Sequence, residues 1–253
     1  MQITEISEDF WNIRGSFRIG SVLDIGTHAS LIRKQDGRFL MLDSLQLDGR
    51  TRQSVMQLTD DGAALDAIIN LHPFHTVFCE QAHADFPDAR LYGTARHQQR
   101  FADLPWEDEP SDDADCHALF EADLAFSVPE GVDLVTDSEL VHFASVLALH
   151  RSSNTLHVDD TLMAVKPPAL ARGAGMKTRL RLHPTLAFAL QKRPGAADAF
   201  EYWTEQLGQD WSEVSTICAA HNDVLHTRNF PLDLRKAVKR MAPILWRHRR
   251  KYD

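Results

Sequence analysis

Two histidines separated by two residues, His72 and His75, are the first side chains in this chain whose types and spacing suggest chemistry. They follow an apolar run that contains Ile68, Ile69 and Leu71, and the sequence after them becomes polar and helix-like. A buried strand that delivers side chains at its carboxyl end, just before a helix, is how α/β folds build sites. The pattern therefore predicts a site at this strand end.

Three further residues share a feature that most of the 13 histidines lack: each follows or begins an apolar strand where the chain turns. Neutral imidazoles and a carboxylate that converge from different strand ends form a site for Zn²⁺ or Fe²⁺. A metal in such a site lowers the pKa of bound water towards about 7, so that hydroxide is available at neutral pH. The predicted ligands are His72, His75, His142, Asp160 and His221.

Each of these residues also has a structural explanation. His72 and His75 could cap the following helix or bond the backbone of a tight turn. His142 could be a histidine at the edge of the core, and His221 precedes a turn signal. Asp160 follows Asp159, so either carboxylate is a candidate, and Asp-Asp-Thr is also a good helix cap.

Strands and helices alternate along the chain, and the first strands form meanders with short turns. Residues 2–43 are predicted to be strands, and 48–60 a helix. The next segments are a strand at 67–71, a helix at 76–86 with Thr76 as its cap, a strand at 89–92 and a helix at 94–101. Later strands are expected at 132–135, 140–149, 155–158 and 214–220, and helices at 186–191, 196–207 and 231–250.

The fold class that this pattern favours is α/β (α+β), with two mixed sheets flanked by helices in a single domain, 1–253. The last of the helices, at about 231–250, is strongly basic. Since the N-terminal strands are meanders, a doubly wound parallel sheet fits less well. Residues 116–126 are compatible with either a helix or a strand.

Composition excludes some functions and disfavours others. No apolar run is long enough to span a membrane. Three widely spaced cysteines and the absence of a basic leader predict a cytoplasmic protein with reduced thiols. A net charge of −9 argues against nucleic acid binding.

Charge is distributed unevenly along the chain. Residues 103–139 carry no Lys or Arg, whereas 235–251 are rich in both. These segments are either solvated or attract each other, within one chain or in a homodimer.

The order of these features resembles the metallo-β-lactamase superfamily, over roughly residues 2 to 225. That family has an αββα sandwich with metal ligands at strand ends. In this chain Asp43 corresponds to its early Asp after an apolar strand, and His72 begins its His-x-His-x-Asp-His motif. The third His of the family corresponds to His142, its Gly-Asp to Asp160 and its last His to His221.

The chain also departs from the family motif. The second His of the motif falls on Phe74, its Asp on Thr76 and its final His on Val77, so that His75 alone could replace the second imidazole. Gly precedes neither Asp160 nor His221, and Pro-Gly-His-Thr is absent around His142. The resemblance therefore implies a divergent member that holds at most one ion.

Three functions follow from these features. The first is a metal-dependent hydrolase with one Zn or Fe ion, Asp160 as a base and an unidentified small-molecule substrate. The second is a binding or scaffold protein that has the same fold and has lost the chemistry. The third is nucleic acid processing, which only the basic C-terminal helix supports.

Three other residues near these motifs have predicted roles. Asp43 is expected to be structural and to accept backbone N–H bonds beneath the site. His28 is expected to be an extra ligand or a substrate contact. Trp106 could line a pocket, or it could anchor the acidic loop to the body of the protein.

Overall fold

The computed structural model describes residues 1–19, 23–24, 26–136, 138, 141–167, 173, 175–220 and 223–253. The chain divides into two compact units. Unit 1 contains Met1–Phe126 and His150–Ser153, and unit 2 contains Ser127–Leu149 and Asn154–Asp253.

Unit 1 contains a six-stranded mixed sheet with the strand order β1-β2-β5-β6-β7-β8. The first four of these strands pair antiparallel, whereas β6, β7 and β8 pair parallel. Its strands, with the two-stranded β3–β4 pair, are β1 Gln2–Ser7, β2 Phe10–Gly15, β3 Arg18–Ile19, β4 Leu23–Asp24, β5 Thr27–Arg33, β6 Phe39–Leu42, β7 Leu65–Ile69 and β8 Arg90–Tyr92.

The parallel strands of unit 1 require crossover connections, and helices supply them. The helix α1 Gly49–Leu58 joins β6 to β7, and α2 Cys79–Asp85 joins β7 to β8. Two short helices follow, α3 Ala95–Arg100 and α4 Ala114–Leu119. Asp48 begins α1 by accepting the Thr51 N–H with its carboxylate, at 2.8 Å.

The core of unit 1 lies against one face of this sheet. Residues of alternate positions on β2 and β5, such as Trp11, Ile13, Ala29 and Leu31, are buried in one hydrophobic cluster. β7 is buried on nearly all its length because parallel strands are covered on both faces. Its carboxyl end is therefore held rigidly.

Unit 2 is built on the second large sheet, which has the order β15-β14-β11-β10-β9, with β11 and β14 parallel and β14 and β15 antiparallel. Residues Leu124–Phe126 of β9 and His150 of β10 belong to unit 1. The strands are β9 Leu124–Ser127, β10 Leu147–His150, β11 Thr155–Val158, β14 Thr216–Ala219 and β15 Val224–His226, and a separate antiparallel pair consists of β12 Leu162–Val165 and β13 Arg179–Leu182.

The described residues of unit 2 include the helices α5 Leu186–Ala189, α6 Ala196–Asp210 and α7 Phe230–Tyr252. α7 packs against α6 and β13. Asn229 begins α7 by accepting the Leu232 N–H, at 2.9 Å, and Pro231 occupies the first turn, where its missing N–H costs nothing. This helix covers the segment that was predicted to be a basic helix.

The predicted fold class, two mixed sheets flanked by helices, is confirmed. The predicted hairpin before Asp43 is β5–β6, with Gly37 at a φ of 85° in its turn. Residues 116–126 contain the end of α4 and the beginning of β9, so both alternatives were partly correct. A single domain over 1–253 stays a prediction.

Several element predictions were wrong. Thr76 does not cap α2, which begins after Phe78 without a side-chain cap. Val132 forms only an isolated bridge with Leu190, so 132–135 is not a strand. The strand predicted at 140–149 is shorter, since β10 begins at Leu147, and residues 141–146 are irregular. No helix described by the structure could span a membrane.

Candidate metal centre

The end of β7 delivers the two histidines side by side. His72 is fully buried and His75 is half-buried. Their rings stack with centroids 4.1 Å apart and planes inclined by 17°. One potential ligand atom of each ring lies within 4.8 Å of the other. The two imidazoles that the sequence paired are thus neighbours in unit 1.

A tight turn fixes this pair. The His75 N–H donates to the His72 carbonyl at 2.9 Å, and the Phe74 N–H donates to His72 Nδ1 at 3.1 Å. The expectation that His72 bonds the backbone of a tight turn is therefore confirmed. Because Nδ1 accepts this bond, the neutral ring carries its proton on Nε2.

Two buried polar side chains hold the strand end in place. Asp43 adopts a left-handed backbone conformation, with φ at 61°, and its Oδ1 accepts the Leu71 N–H at 2.8 Å. Asn70 accepts the Ser44 N–H at 3.1 Å with its side-chain oxygen and donates to the Tyr92 carbonyl at 3.0 Å. The predicted structural role of Asp43 is confirmed, and it acts on the residue directly before His72.

A third histidine, His97, is buried on α3 and forms a hydrogen bond with the backbone of His75. Its Nδ1 accepts the Thr94 N–H at 3.2 Å and is 2.9 Å from the Thr94 hydroxyl, which closes the first turn of α3. Burial lowers the pKa of His97 to about 3, and a hydrogen bond with the His75 backbone opposes that shift only in part. His97 is consequently neutral at physiological pH and supports the His75 turn without adding a charge.

His28 and Trp106 have structural contacts in unit 1. His28 is buried on β5, where its Nδ1 is 3.1 Å from the Asn12 side-chain nitrogen and a ring nitrogen lies within 4.8 Å of an Asp43 carboxylate oxygen. The Trp106 indole N–H donates to the Phe101 carbonyl at 2.8 Å, which anchors the loop as one of the two alternatives predicted.

The end of β11 carries the carboxylates in unit 2. Asp159 and Asp160 follow Val158 directly, and both are buried. Asp160 Oδ2 lies 3.9 Å from His142 Nδ1, an ion pair when the ring is protonated. A carboxylate oxygen of Asp159 lies within 4.8 Å of a ring nitrogen of His157 instead. Of the two candidate carboxylates, Asp160 is therefore the one that meets a predicted ligand.

Hydroxyl groups fix the irregular segment that carries His142. The Thr161 hydroxyl donates to the Phe143 carbonyl and accepts the Ser145 N–H, both at 3.0 Å. The Thr185 hydroxyl donates to the His142 carbonyl at 2.5 Å. Thr161 and Thr185 thus fix the backbone around His142. Thr161 directly follows Asp160, so the same hydroxyl links the two candidate ligands.

The structure corrects one premise about His142. This residue does not begin or follow a strand, because β10 starts five residues later at Leu147. The suggestion that Asp-Asp-Thr caps a helix is also wrong, since β12 follows it. His221 lies outside the residues that the structure describes.

Sequence analysis missed the residues that position the candidate ligands. Asn70, Thr161 and Thr185 fix the backbone around His72, Asp160 and His142. One signal was available in the sequence, since Asn70 interrupts an otherwise apolar run. The threonines gave no signal, because their partners are distant along the chain.

The donor atoms in each unit suit a transition metal. In a tetrahedral Zn site with ligand distances of about 2.0–2.2 Å, neighbouring donors lie about 3.4 Å apart. The 3.9 Å between His142 Nδ1 and Asp160 Oδ2 is close to that value. Ligation by either nitrogen of His72 would break the bond from Phe74, at a cost of about 1 kcal/mol. Structural Zn sites contribute about 10–16 kcal/mol, so this cost does not prevent binding.

Known structures resemble the chain along nearly its full length. A metallo-β-lactamase from Erythrobacter litoralis matches with a TM-score of 0.62 at 12% identity, and the match covers 94% of this chain and 96% of that one. The metallo-β-lactamase from Hirschia baltica gives 0.57 at 13% identity and covers 96% and 97%. The one from Pontibacter korlensis gives 0.58 at 10% identity and covers 97% and 98%.

The chain therefore has the metallo-β-lactamase fold, which confirms the resemblance drawn from its sequence at the level of the fold. No protein-family model matches the sequence. No curated protein matches it either. Within this fold, the chain presents His/Asp groups that could bind a metal.

Proposed function

We propose that this protein is a metal-dependent hydrolase that holds one Zn or Fe ion. The proposed ligands are His72, His75, His142 and Asp160, with His221 as a further predicted one. The observation that carries the proposal is local preorganisation: the stacked imidazoles of unit 1 and the His142–Asp160 pair of unit 2 are each fixed by hydrogen bonds of their own loops.

The ion, when bound, would polarise a carbonyl or phosphoryl oxygen and lower the pKa of a coordinated water. The protein contributes a base and rigid loops. Asp160 is the proposed base, because its carboxylate is buried, adjacent to the His142 ring, and ends a strand. The substrate is a small molecule of unknown identity, and the β-lactams acted on by proteins of this fold are one class to test.

A second function is favoured by one specific contact. His72 Nδ1 already accepts the Phe74 N–H, and Val77, where the family motif has its last His, is 62% exposed. These two features fit a non-catalytic binding or scaffold protein that uses its histidines to shape the loop. Loss of catalysis with retention of the fold would then explain the degenerate motif.

Metal analysis tests the proposed metal site. We expect protein stripped with a chelator and reloaded with Zn²⁺ or Fe²⁺ to bind about one ion per chain. His72→Ala and Asp160→Asn should each reduce that content at least tenfold, since the remaining ligands cannot complete the coordination sphere. His226→Ala is the matched control, because His226 is exposed on β15 and belongs to neither group. A wild-type chain without affinity for either ion would refute the metal site.

Activity is the second test. Hydrolysis of a panel of lactams, esters, thioesters and phosphodiesters should depend on added metal and disappear in Asp160→Asn. A chain that binds one ion and hydrolyses none of these substrates would leave the metal site intact and favour the non-catalytic function.

A further inference from the structure

The described part of unit 2 contains a cavity that lies between α5, the last turns of α7 and the residues Asp133, Thr136, Ser138 and Val141. It has a volume of about 750 Å³, within the range of small-molecule sites. Its apolar lining includes Val141, Phe188, Leu190 and Ile244. Phe188 is 69% exposed, so its ring offers apolar surface to the cavity.

Cations surround this apolar lining. Lys192, Arg247 and Lys251 line the cavity, and Asp133 is the one carboxylate among its described lining residues. Among the described lining residues, cationic side chains therefore outnumber carboxylates, in a chain whose net charge is −9. Field lines in a concave site add, so this arrangement attracts anions.

Two cations of α7, Arg247 and Lys251, line the cavity. Among the described residues, neither Arg247 nor Lys251 forms an ion pair with a carboxylate, and Lys251 only packs its ammonium on the Tyr252 ring, 4.9 Å from the centroid. Arg249, on another face of the same helix, pairs with Asp198 and Glu201. Arg247 and Lys251 are four residues apart, so they extend from the same face of α7.

A buried histidine adds a polar group to the lining. The His248 Nε2–H donates to the Gln191 carbonyl at 2.9 Å. The neutral ring therefore has Nδ1 as an acceptor, and this buried atom has no hydrogen-bond partner among the described residues. Because Nδ1 is enclosed, His248 shapes the wall of the cavity and offers no contact to an anion. An apolar lining, with Arg247 and Lys251 forming no ion pair with a described carboxylate, is the composition of a site for an amphipathic anion.

We propose that this cavity binds a small organic anion with an apolar body, whose carboxylate or phosphate is held by Arg247 and Lys251. Arg presents a fork of N–H donors that matches both head groups, and Phe188 would cover the apolar body. The site belongs to unit 2 alone and does not depend on the proposed metal centre. Its occupant is either a substrate or product of the enzyme or a separate effector.

Calorimetric titration of the full chain with octanoate, octyl phosphate, 1-octanol and inorganic phosphate tests this proposal. We expect octanoate or octyl phosphate to bind at least tenfold more tightly than the alcohol or the free phosphate, since each of these lacks half of the recognised chemistry. The preference between the first two identifies the head group. Equal binding of 1-octanol, or no binding of either anion, would overturn the proposal.

Substitutions on α7 locate the site. Arg247→Gln should weaken binding about tenfold, because it removes a charge-assisted hydrogen bond, and Lys251→Gln should also weaken it. Arg250→Gln is the matched control: Arg250 is equally exposed on the same helix but does not line the cavity. Both Arg247 and Lys251 are exposed, so the variants should fold. An equal loss in Arg250→Gln would show non-specific attraction to the basic helix and refute the site.

Discussion

The two strand ends that carry the candidate ligands are built in different ways. At the end of β7, His72 and His75 lie in the turn that comes after Asn70 and Leu71, and the bonds of this turn join residues two or three positions apart. At the end of β11, Asp160 follows the strand, but His142 comes from an irregular segment 18 residues earlier in the chain. The first pair is positioned by its own turn, on a strand end that Asp43 and Asn70 hold, whereas the segment of His142 is positioned by long-range bonds.

This difference decides which side chains matter for each pair. The β7 pair depends on buried groups that include titratable ones, such as Asp43 and His97. The β11 pair depends on the hydroxyls of Thr161 and Thr185, of which the second also contacts His183 Nδ1 at 2.6 Å. The two ends should therefore respond differently to substitution, and the group whose pKa burial lowers most clearly, His97, belongs to the β7 end.

The largest effect is expected for Thr161→Val, which preserves shape but removes a fully buried hydroxyl that bonds the Ser145 N–H, the Ser145 hydroxyl and the Phe143 carbonyl. The Ser145 N–H and the Phe143 carbonyl lose this partner, so the free energy of unfolding should fall by about 2–3 kcal/mol. Urea denaturation measures it. Thr161→Ser keeps the hydroxyl and should lose only about 1 kcal/mol for the missing methyl group. Equal losses in the two variants would mean that packing, and not these bonds, holds the His142 segment.

An intermediate effect is expected from acid. The pKa of His97 is about 3 in the folded protein and near 6.5 when unfolded, so the unfolded state binds its proton more readily. The stabilising contribution is therefore complete above about pH 6.5 and falls by about 1.4 kcal/mol per pH unit towards pH 3. Between pH 7 and pH 5 the metal-free protein should lose about 2 kcal/mol from this group.

The control for this prediction is His97→Gln. Other buried histidines with a lowered pKa, His117 and His150, contribute equally to the wild type and to the variant. The difference between the two proteins in how the free energy of unfolding changes with pH therefore isolates His97. Denaturation at pH 7 and pH 5 in the presence of a chelator gives this difference. Identical pH profiles would show that acid acts elsewhere in the fold.

The same contrast explains what the sequence could predict. β5, β6 and β7 were predicted because apolar residues and turn signals are local, and His72 and His75 came with them. β12, β13 and β15 were missed, since two of them are short and one, β13, alternates Arg with Leu at the surface. Sequence patterns report local order well and tertiary pairing poorly.

The site followed the same rule. The His142–Asp160 pair was proposed from the order of residues in a known family, although the strand assigned to His142 was wrong. The residues that position the pair, Thr161 and Thr185, could not be identified, because a threonine that bonds a distant carbonyl looks like any other threonine. The cavity beside α7 was also missed, since its cations resemble a solvated helix face until their neighbours are known.

The smallest effect is expected for Asp43→Asn at the β7 end. Asn tolerates the left-handed conformation, and its side-chain oxygen can still accept the Leu71 N–H. The free energy of unfolding should therefore change by about 0.5 kcal/mol or less. Asp43→Ala loses that acceptor and strains the backbone, and should cost about 2 kcal/mol. Denaturation and metal analysis of both variants measure the two effects separately.

Metal content should be unchanged in Asp43→Asn, because we assign Asp43 to the backbone and not to the ion. If Asp43→Asn lost as much stability as Asp43→Ala, the negative charge beside His28 would be the important property. If it lost the metal while remaining folded, Asp43 would belong with the ligands. In that case the β7 end would resemble the β11 end, where a carboxylate and an imidazole meet at the site, and the contrast between the two strand ends would fail.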